Sequence, residues 1–315
     1  MNIERAVIEI NGGCNYSCQM CPQSNPGRHK DFLKKMSLSH FEDMVAQCAE
    51  QGLKVVNLEG SGEPTLNRDL ARYVEIVKKY NAKAFIFTNG RLLKDSFMKE
   101  VIDAGLDYCR FSIIGYDATT YHEWMNSLAF NQVIKNLNDI NQYVLTSNSE
   151  CVVSTYHLIL DQANIPYEVE KYLDIVNTMN VKTEIWKMHN WSGVYKPDYE
   201  RDGKIKTCGR PFSPDIVIRA GGLNGDYGAV HPCCQVLGQD EKAVLGHTSS
   251  TSIKDIWYGE AYEDLRNRHR TGDYPDYCKS CDFLIDDTEV LVYTNHDRDL
   301  YKMHGTTFDL NDYRQ

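Results

Sequence analysis

Cysteine is the residue through which this 315-residue sequence announces chemistry: it has eleven, in a pattern that is far from even. Cys14, Cys18 and Cys21 are separated by three and then two residues. That spacing sets three thiols on one tight loop, and three thiolates can wrap a compact iron–sulfur cube while leaving one iron without a protein ligand. A catalytic metal site keeps such an open position, whereas a structural one closes it. A zinc site completed by a distant residue such as His29, or three unrelated buried thiols, are the other readings of the spacing. A second group, Cys208, Cys233, Cys234, Cys278 and Cys281, occupies the last third and contains a CxxC pair. Cys48, Cys109 and Cys151 lie singly inside apolar periodic segments and read as small core residues.

The elements that must position these thiols follow from the hydrophobic pattern. Short apolar runs predict strands at Ala6–Ile10, Val55–Leu58, Ala84–Phe87, Tyr108–Ile113, Val152–His157 and Lys182–Met188. Helical periodicity fills the intervals at Ser39–Glu50, Arg68–Tyr80, Asp95–Ala104, Asn131–Tyr143 and Tyr167–Met179. Ser39 with Glu42 has the form of a capping box, and Gly52 and Gly105 stand where helices should end. Strands alternating with helices predict an α/β fold on a parallel sheet, open and doubly wound or curled toward a barrel. From about residue 196 the helical period fades. Asp226–Val236 reads as a tight hairpin with a cysteine pair on its return strand, Ser252–His269 as one helix, and Cys278–Cys281 as a metal-knuckle turn. The polar final stretch, Phe283–Gln315, has one apolar run, Val290–Tyr293, which reads as an edge strand followed by a tail.

Composition narrows the class. Hydrophobic residues make up 42% and charged residues 25%, as in a globular protein, and the net charge of −10 argues against broad binding to a nucleic-acid backbone. No apolar run reaches the roughly 18 residues of a membrane span. The opening Met1-Asn2-Ile3-Glu4-Arg5 lacks the layout of a signal peptide. The expectation is a cytoplasmic chain whose clustered cysteines hold metal rather than disulfides.

The loop at Cys14, Cys18 and Cys21 resembles the CxxxCxxC motif of the radical S-adenosylmethionine superfamily, with Met20 where that family usually has an aromatic residue. The resemblance implies that these cysteines hold a [4Fe–4S] cluster. The cluster's open iron would bind S-adenosylmethionine and cleave it reductively to a 5′-deoxyadenosyl radical that abstracts a substrate hydrogen. Glu59-Gly60-Ser61-Gly62-Glu63-Pro64 resembles the family's GGEP segment, with Ser61 for its first glycine. Ser61, Gly62 and Glu63 would then contact the cofactor, the loop backbone and Glu63 receiving its ammonium group. Thr88-Asn89-Gly90 and Ser112 end the third and fourth strands, and Asn89 and Ser112 join the cofactor-binding set on the same resemblance. The implied fold is a partial (β/α)6 TIM-like barrel over residues 1–195.

The second cysteine group, together with Gly228 and the segment from Gly246 to Trp257, resembles the SPASM module or its shorter Twitch form, a small α+β iron–sulfur unit over residues 196–285. It implies a closed auxiliary [4Fe–4S] cluster on Cys208, Cys233, Cys278 and Cys281, with Cys234 as competitor to Cys233. Four thiolates of this spacing also suit structural zinc. Residues 286–315 are left as a tail. His189 and Tyr116 are the candidate catalytic residues, with Trp186, Lys187, Trp191, Tyr195 and His157 as further candidates for substrate contact. Relatives with the short module suggest oxidation of a small polar sugar- or cyclitol-like substrate, the auxiliary cluster taking the second electron. A flavodoxin- or ferredoxin-type donor would reduce the first cluster. The alternatives are modification of a peptide or protein side chain, and a non-enzymatic iron–sulfur or zinc protein. Only thirteen residues precede Cys14, too few for an N-terminal leader-binding domain.

Overall fold

The computed structural model describes residues 2–24, 30–197, 203–205, 207–237, 241–285 and 290–296. In chain order the first half runs β1 (Arg5–Ile8), α1 (Leu38–Glu50), β2 (Val55–Asn57), α2 (Leu70–Lys79), β3 (Lys83–Thr88) and α3 (Asp95–Asp103). It continues with β4 (Tyr108–Ser112), α4 (Ala118–Met125), α5 (Phe130–Thr146), β5 (Val152–Ile159), α6 (Ile165–Val176) and β6 (Lys182–Lys187). The remainder contributes β7 (Asp215–Ile218), β8 (Ala229–His231), β9 (Gly246–His247), α7 (Ile253–Trp257), α8 (Glu260–Thr271), α9 (Asp276–Lys279) and β10 (Leu291–Thr294).

The ten strands of the described residues form one sheet in the order β10-β6-β5-β4-β3-β2-β1-β7-β8-β9. From β6 through β1 to β7 every pairing is parallel. The fold is α/β, as expected, and agrees with a partial barrel. The parallel run, however, has seven strands: β7 lies against β1 in the register Arg5↔Asp215 through Ile8↔Ile218. The apolar run near Val290 is an edge strand, antiparallel to β6.

Each strand divides its side chains between two environments, because successive residues point to opposite faces. Ala6, Ile8, Val56, Ala84, Ile86, Cys109 and Phe111 join the helix-covered core. That core takes the apolar stripe of α1 (Phe41, Met44, Val45, Cys48) and of α2 (Leu70, Tyr73, Val74, Val77), spaced at helical intervals. The alternate residues face inward: Val55, Phe85 and Tyr108 form a small apolar floor, while Arg5, Asn57, Arg110, Tyr156 and Asp215 line a cavity. Cys48, Cys109 and Cys151 are buried as expected.

Several local expectations are corrected. The cap of α1 is Ser37, whose Oγ accepts from the His40 amide at 3.2 Å, rather than Ser39. Ser37 has the extended backbone a cap needs, whereas Ser39 is already helical. Gly52 and Gly105 follow α1 and α3 with φ of 102° and 95°, as helix-ending glycines do. The hairpin expected at Asp226–Val236 begins earlier, at β7, which pairs antiparallel with β8. Cys233 and Cys234 therefore lie beyond its return strand. Ser252–His269 is two helices, broken at Gly259, where a side chain would meet the Asp255 carbonyl at 2.4 Å. Helix α4 was not expected at all. It starts on a reciprocal cap between Asp117 and Thr120 and buries only Tyr121 and Met125. His29 lies outside the described residues, as does the chain from residue 297 onward.

Candidate active site and cluster-binding loops

The cysteine loop leaves β1 and is fastened from above by α4. The Gln19 amide donates to the Trp124 carbonyl at 2.9 Å, and Asn126 Nδ2 donates to Ser17 Oγ at 2.7 Å. Cys18 Sγ lies 3.6 Å from Met125 Sδ, and the Tyr16 amide donates to Cys14 Sγ at 3.4 Å. Cys14, Cys18 and Cys21 all face the same cavity of about 340 Å³, with Tyr16 and Met20 beside them. Burial, reinforced by the nearby Glu63, pushes the Cys14 thiol up to about 12, and burial raises Cys18 as well. At neutral pH these thiols are protonated until a cation displaces the protons.

The next wall is the segment after β2. Gly62 is obligatory there, since a Cβ would sit 1.9 Å from the Asn11 carbonyl oxygen and 2.5 Å from that of Gly13. This close approach lets the Glu63 amide donate to the Gly13 carbonyl at 2.8 Å, while Asn11 Nδ2 donates to the carbonyls of Gly13 and Glu63 at 2.7 and 2.9 Å. The two loops are thus locked into one surface. The Glu63 carboxylate is an organiser: Oε1 accepts from the Thr65 amide, Thr65 Oγ1 and Thr88 Oγ1, and Oε2 from the Asn89 amide. With four donors in place, an ammonium group would find its acceptors mainly in the loop carbonyls. Asn89 Nδ2 in turn donates to Asn15 Oδ1 at 2.8 Å, joining the end of β3 to the cysteine loop. Ser112, at the end of β4, lines the same cavity.

Ser61 has a role its side chain earns. Its Oγ donates to Glu9 Oε2 at 2.6 Å and accepts from Arg219 Nη2 at 2.7 Å. Glu9 also accepts from the Ser61 and Ala220 amides and from Arg219 Nε, the ion pair being fully buried. A carboxylate near the end of β1 and a guanidinium just past β7 therefore grip the loop between them. Both were missed in the sequence, although a charged residue inside an apolar strand run is the available signal.

The second cysteine group divides. Cys208, Cys233, Cys278 and Cys281 line one small cavity together with Ser192, Pro211 and Phe283. Cys234 faces the large cavity instead, and its Sγ accepts from Arg210 Nη1 at 3.4 Å. Burial raises the thiols of all four grouped cysteines, Cys233 to about 12. Among the described residues no three His, Cys, Asp or Glu side chains close on a point as a single ion requires. The thiols stand more openly, around cavities, and an all-sulfur set of this kind suits an iron–sulfur cluster. Arg210, Gln235 and Phe283 line both cavities and form the partition between them.

His189 lines the large cavity with its ring centroid 3.7 Å from that of Trp191, and Trp186 and Lys187 are nearby. Tyr116 does not line it. Its ring stands edge-on to Tyr167 and its amide donates to Thr120 Oγ1, which places it beside α4 and α6. His157 also points away: fully buried, it pairs with Glu168 at 2.7 Å and stacks on Tyr172. Tyr195 packs on Trp191, outside the lining. In their place the cavity presents inward-facing charges absent from the candidate list, namely Arg5, Glu59, Arg110, Glu184, Arg210 and Asp215. No helix among the described residues is long and apolar enough to cross a membrane.

Comparison with known proteins agrees with this geometry. The family model of the radical SAM superfamily matches residues 8–172, and that of the SPASM iron–sulfur cluster-binding domain matches residues 225–282. A probable GTP 3′,8-cyclase of Methanococcus maripaludis (strain C6 / ATCC BAA-1332) is 29% identical over 36% of this chain and 37% of its own length. The chain thus spans under half the length of the first curated relatives it matches. A tungsten-containing aldehyde ferredoxin oxidoreductase cofactor-modifying protein of Pyrococcus furiosus is 25% identical over 87% of this chain and 86% of its own. The crystal structure of BtrN in complex with AdoMet and 2-DOIA shares the fold, with a TM-score of 0.60 at 18% identity, covering 93% of this chain and 100% of that one. The chain belongs to the radical S-adenosylmethionine superfamily, whose cofactors are S-adenosylmethionine and a [4Fe–4S] cluster, and carries a SPASM-type iron–sulfur domain in its last third.

Proposed function

We propose that the protein is an oxidoreductase that removes a hydrogen atom from a carbon of a small polar substrate, sugar- or cyclitol-like, and then a second electron. The observation that carries this reading is the arrangement around one cavity. The three-cysteine loop, the Gly62–Glu63 segment, Asn89 and Ser112 meet at one mouth, and the four-cysteine cavity lies behind Arg210 and Gln235. When bound at Cys14, Cys18 and Cys21, the cluster supplies the electron that cleaves S-adenosylmethionine to a 5′-deoxyadenosyl radical.

The chain's own residues supply the rest. Loop carbonyls around Gly62 receive the cofactor's ammonium group, with Glu63 holding them in place. Ser112 and Asn89 present hydrogen-bonding groups at the strand ends. The cavity of about 340 Å³ is of small-molecule size and is walled by aromatic and charged side chains. For an alcohol carbon the balance is one hydrogen atom to the adenosyl carbon, one proton from the hydroxyl, and one electron outward. His189, on the cavity lining, would take that proton. Cys208, Cys233, Cys278 and Cys281 would hold the group that takes the electron. The likeness to BtrN, solved in complex with AdoMet and 2-DOIA, supports this reading.

The test is anaerobic reconstitution followed by reduction. About eight irons per chain and formation of 5′-deoxyadenosine are expected, with deuterium from a labelled substrate carbon appearing in that product. Zinc in place of iron, with no cofactor cleavage, would refute the proposal.

A further inference from the structure

Resting on the reading above, we propose that the inner end of the large cavity is an oxyanion site. There Arg110 and Arg210 bind a carboxylate or phosphate carried by a hydroxyl-bearing substrate. The guanidinium of Arg110 lies 3.6 Å from the ring centroid of Phe87 and 4.5 Å from that of Tyr156, held between the two. Among the described residues it has no carboxylate partner, and its Nε is buried without an acceptor. Arg210 rests over Phe283 at 4.9 Å; it also has no carboxylate partner within ion-pair distance, and its Nε too lacks an acceptor. Aromatic faces orient a guanidinium without occupying its in-plane donors, which leaves the Arg110 fork free for a bidentate oxyanion, while Arg210, whose Nη1 donates to Cys234 Sγ at 3.4 Å, offers its remaining donors.

Carboxylates share this space with the arginines. Glu59, hydrogen-bonded by Asn57 Nδ2 at 2.9 Å, feels Arg110, Arg5 and Arg210, and Asp215 feels Arg5 and Arg210. Glu184 and Lys187 line the same cavity, so the open donors of Arg110 and Arg210, not a net charge, mark the site. Two acceptors also lack donors there, Asn57 Oδ1 and Gln235 Oε1, in side chains 1% and 7% exposed. Hydroxyl groups of a substrate satisfy such acceptors. Arg110 is two residues before Ser112 on β4, about 7 Å deeper at strand rise. A substrate with its reacting carbon at the mouth and its anion at Arg110 spans about the length of a hexose.

The probes are glucuronate, glucose 6-phosphate and neutral glucose, titrated calorimetrically into reconstituted protein loaded with S-adenosylmethionine. At least one anion should bind tenfold or more tightly than glucose, the carboxylate and phosphate arms showing which group is read, and Arg110→Gln or Arg210→Gln should remove that preference. Slow 5′-deoxyadenosine formation without substrate should persist in Arg110→Gln, since the proposal gives Arg110 no cofactor contact. Equal affinity for glucose, no binding of any probe, or unchanged preference in both variants overturns the oxyanion site. Loss of substrate-free cleavage in Arg110→Gln also overturns it, assigning that arginine to the cofactor's own carboxylate. Absence of cleavage in the wild-type protein would instead refute the enzymatic reading.

Discussion

Replacing Glu9 with glutamine keeps the shape of the side chain and removes the charge that faces Arg219. That arginine is fully buried, and Glu9 is its ion-pair partner at 3.0 Å. Removing the charge from one member of a buried pair costs up to roughly 3–5 kcal/mol. Spread over a chain of this size, that is an apparent melting temperature lower by about 5–10 °C. Arg219→Met should cost less, because Glu9 would still accept from the Ser61 amide and hydroxyl and the Ala220 amide. The double variant Glu9→Gln/Arg219→Met removes both charges and should be more stable than Glu9→Gln alone. The assay is thermal unfolding of the metal-free chain followed by circular dichroism, run as a double-mutant cycle. Affinity for S-adenosylmethionine in the reconstituted Glu9→Gln variant should fall as well, since the Ser61 loop loses its anchor. Additivity within about 0.5 kcal/mol, or a shift under about 2 °C for Glu9→Gln, would show that this pair does not hold the loop.

Further outcomes follow from the same geometry. Gly62→Ala drives a methyl group into backbone carbonyls that cannot yield, so S-adenosylmethionine binding should be lost in equilibrium dialysis while the four-cysteine site still loads. The triple variant Cys14→Ala/Cys18→Ala/Cys21→Ala should retain about four irons per chain by chemical analysis, and Cys234→Ala should retain the full wild-type complement. Tyr116→Phe should leave turnover within about twofold of wild type, because Tyr116 stands outside the cavity lining. Asn126→Ala removes the hydrogen bond to Ser17 and should slow iron–sulfur assembly at the first loop, followed by visible absorbance, by loosening the loop it caps.

The barrel and the cysteine loop were readable in the sequence because both are local. Helical stripes such as Phe41, Met44, Val45 and Cys48, and apolar runs such as Val55–Leu58, report burial directly from spacing. Pairings between distant segments leave no such trace. β7 joins β1 across some 210 residues, and Arg219 is as remote from Glu9. Helix α4 was hidden because only Tyr121 and Met125 are buried, too few to mark a face. The divergence of Cys233 from Cys234 depends on the extended backbone at Cys233, with φ of −170°, which turns neighbouring side chains to opposite sides. The cavity's charges were overlooked for a related reason. Arg5 and Arg110 sit on the inward face of strands whose other face is apolar, so each strand reads as core unless its alternate positions are taken separately.

The reach from Glu9 to Arg219 also sets an order of events during synthesis. At ribosomal speeds of about 5–20 residues per second, the gap between them takes roughly 10–40 s to translate. The first three cysteines therefore emerge long before the arginine that braces the loop beside them. Iron delivered to the nascent chain in that interval would meet an unbraced site, which favours maturation after release and makes the late-translated half of the chain a checkpoint for loading the early one.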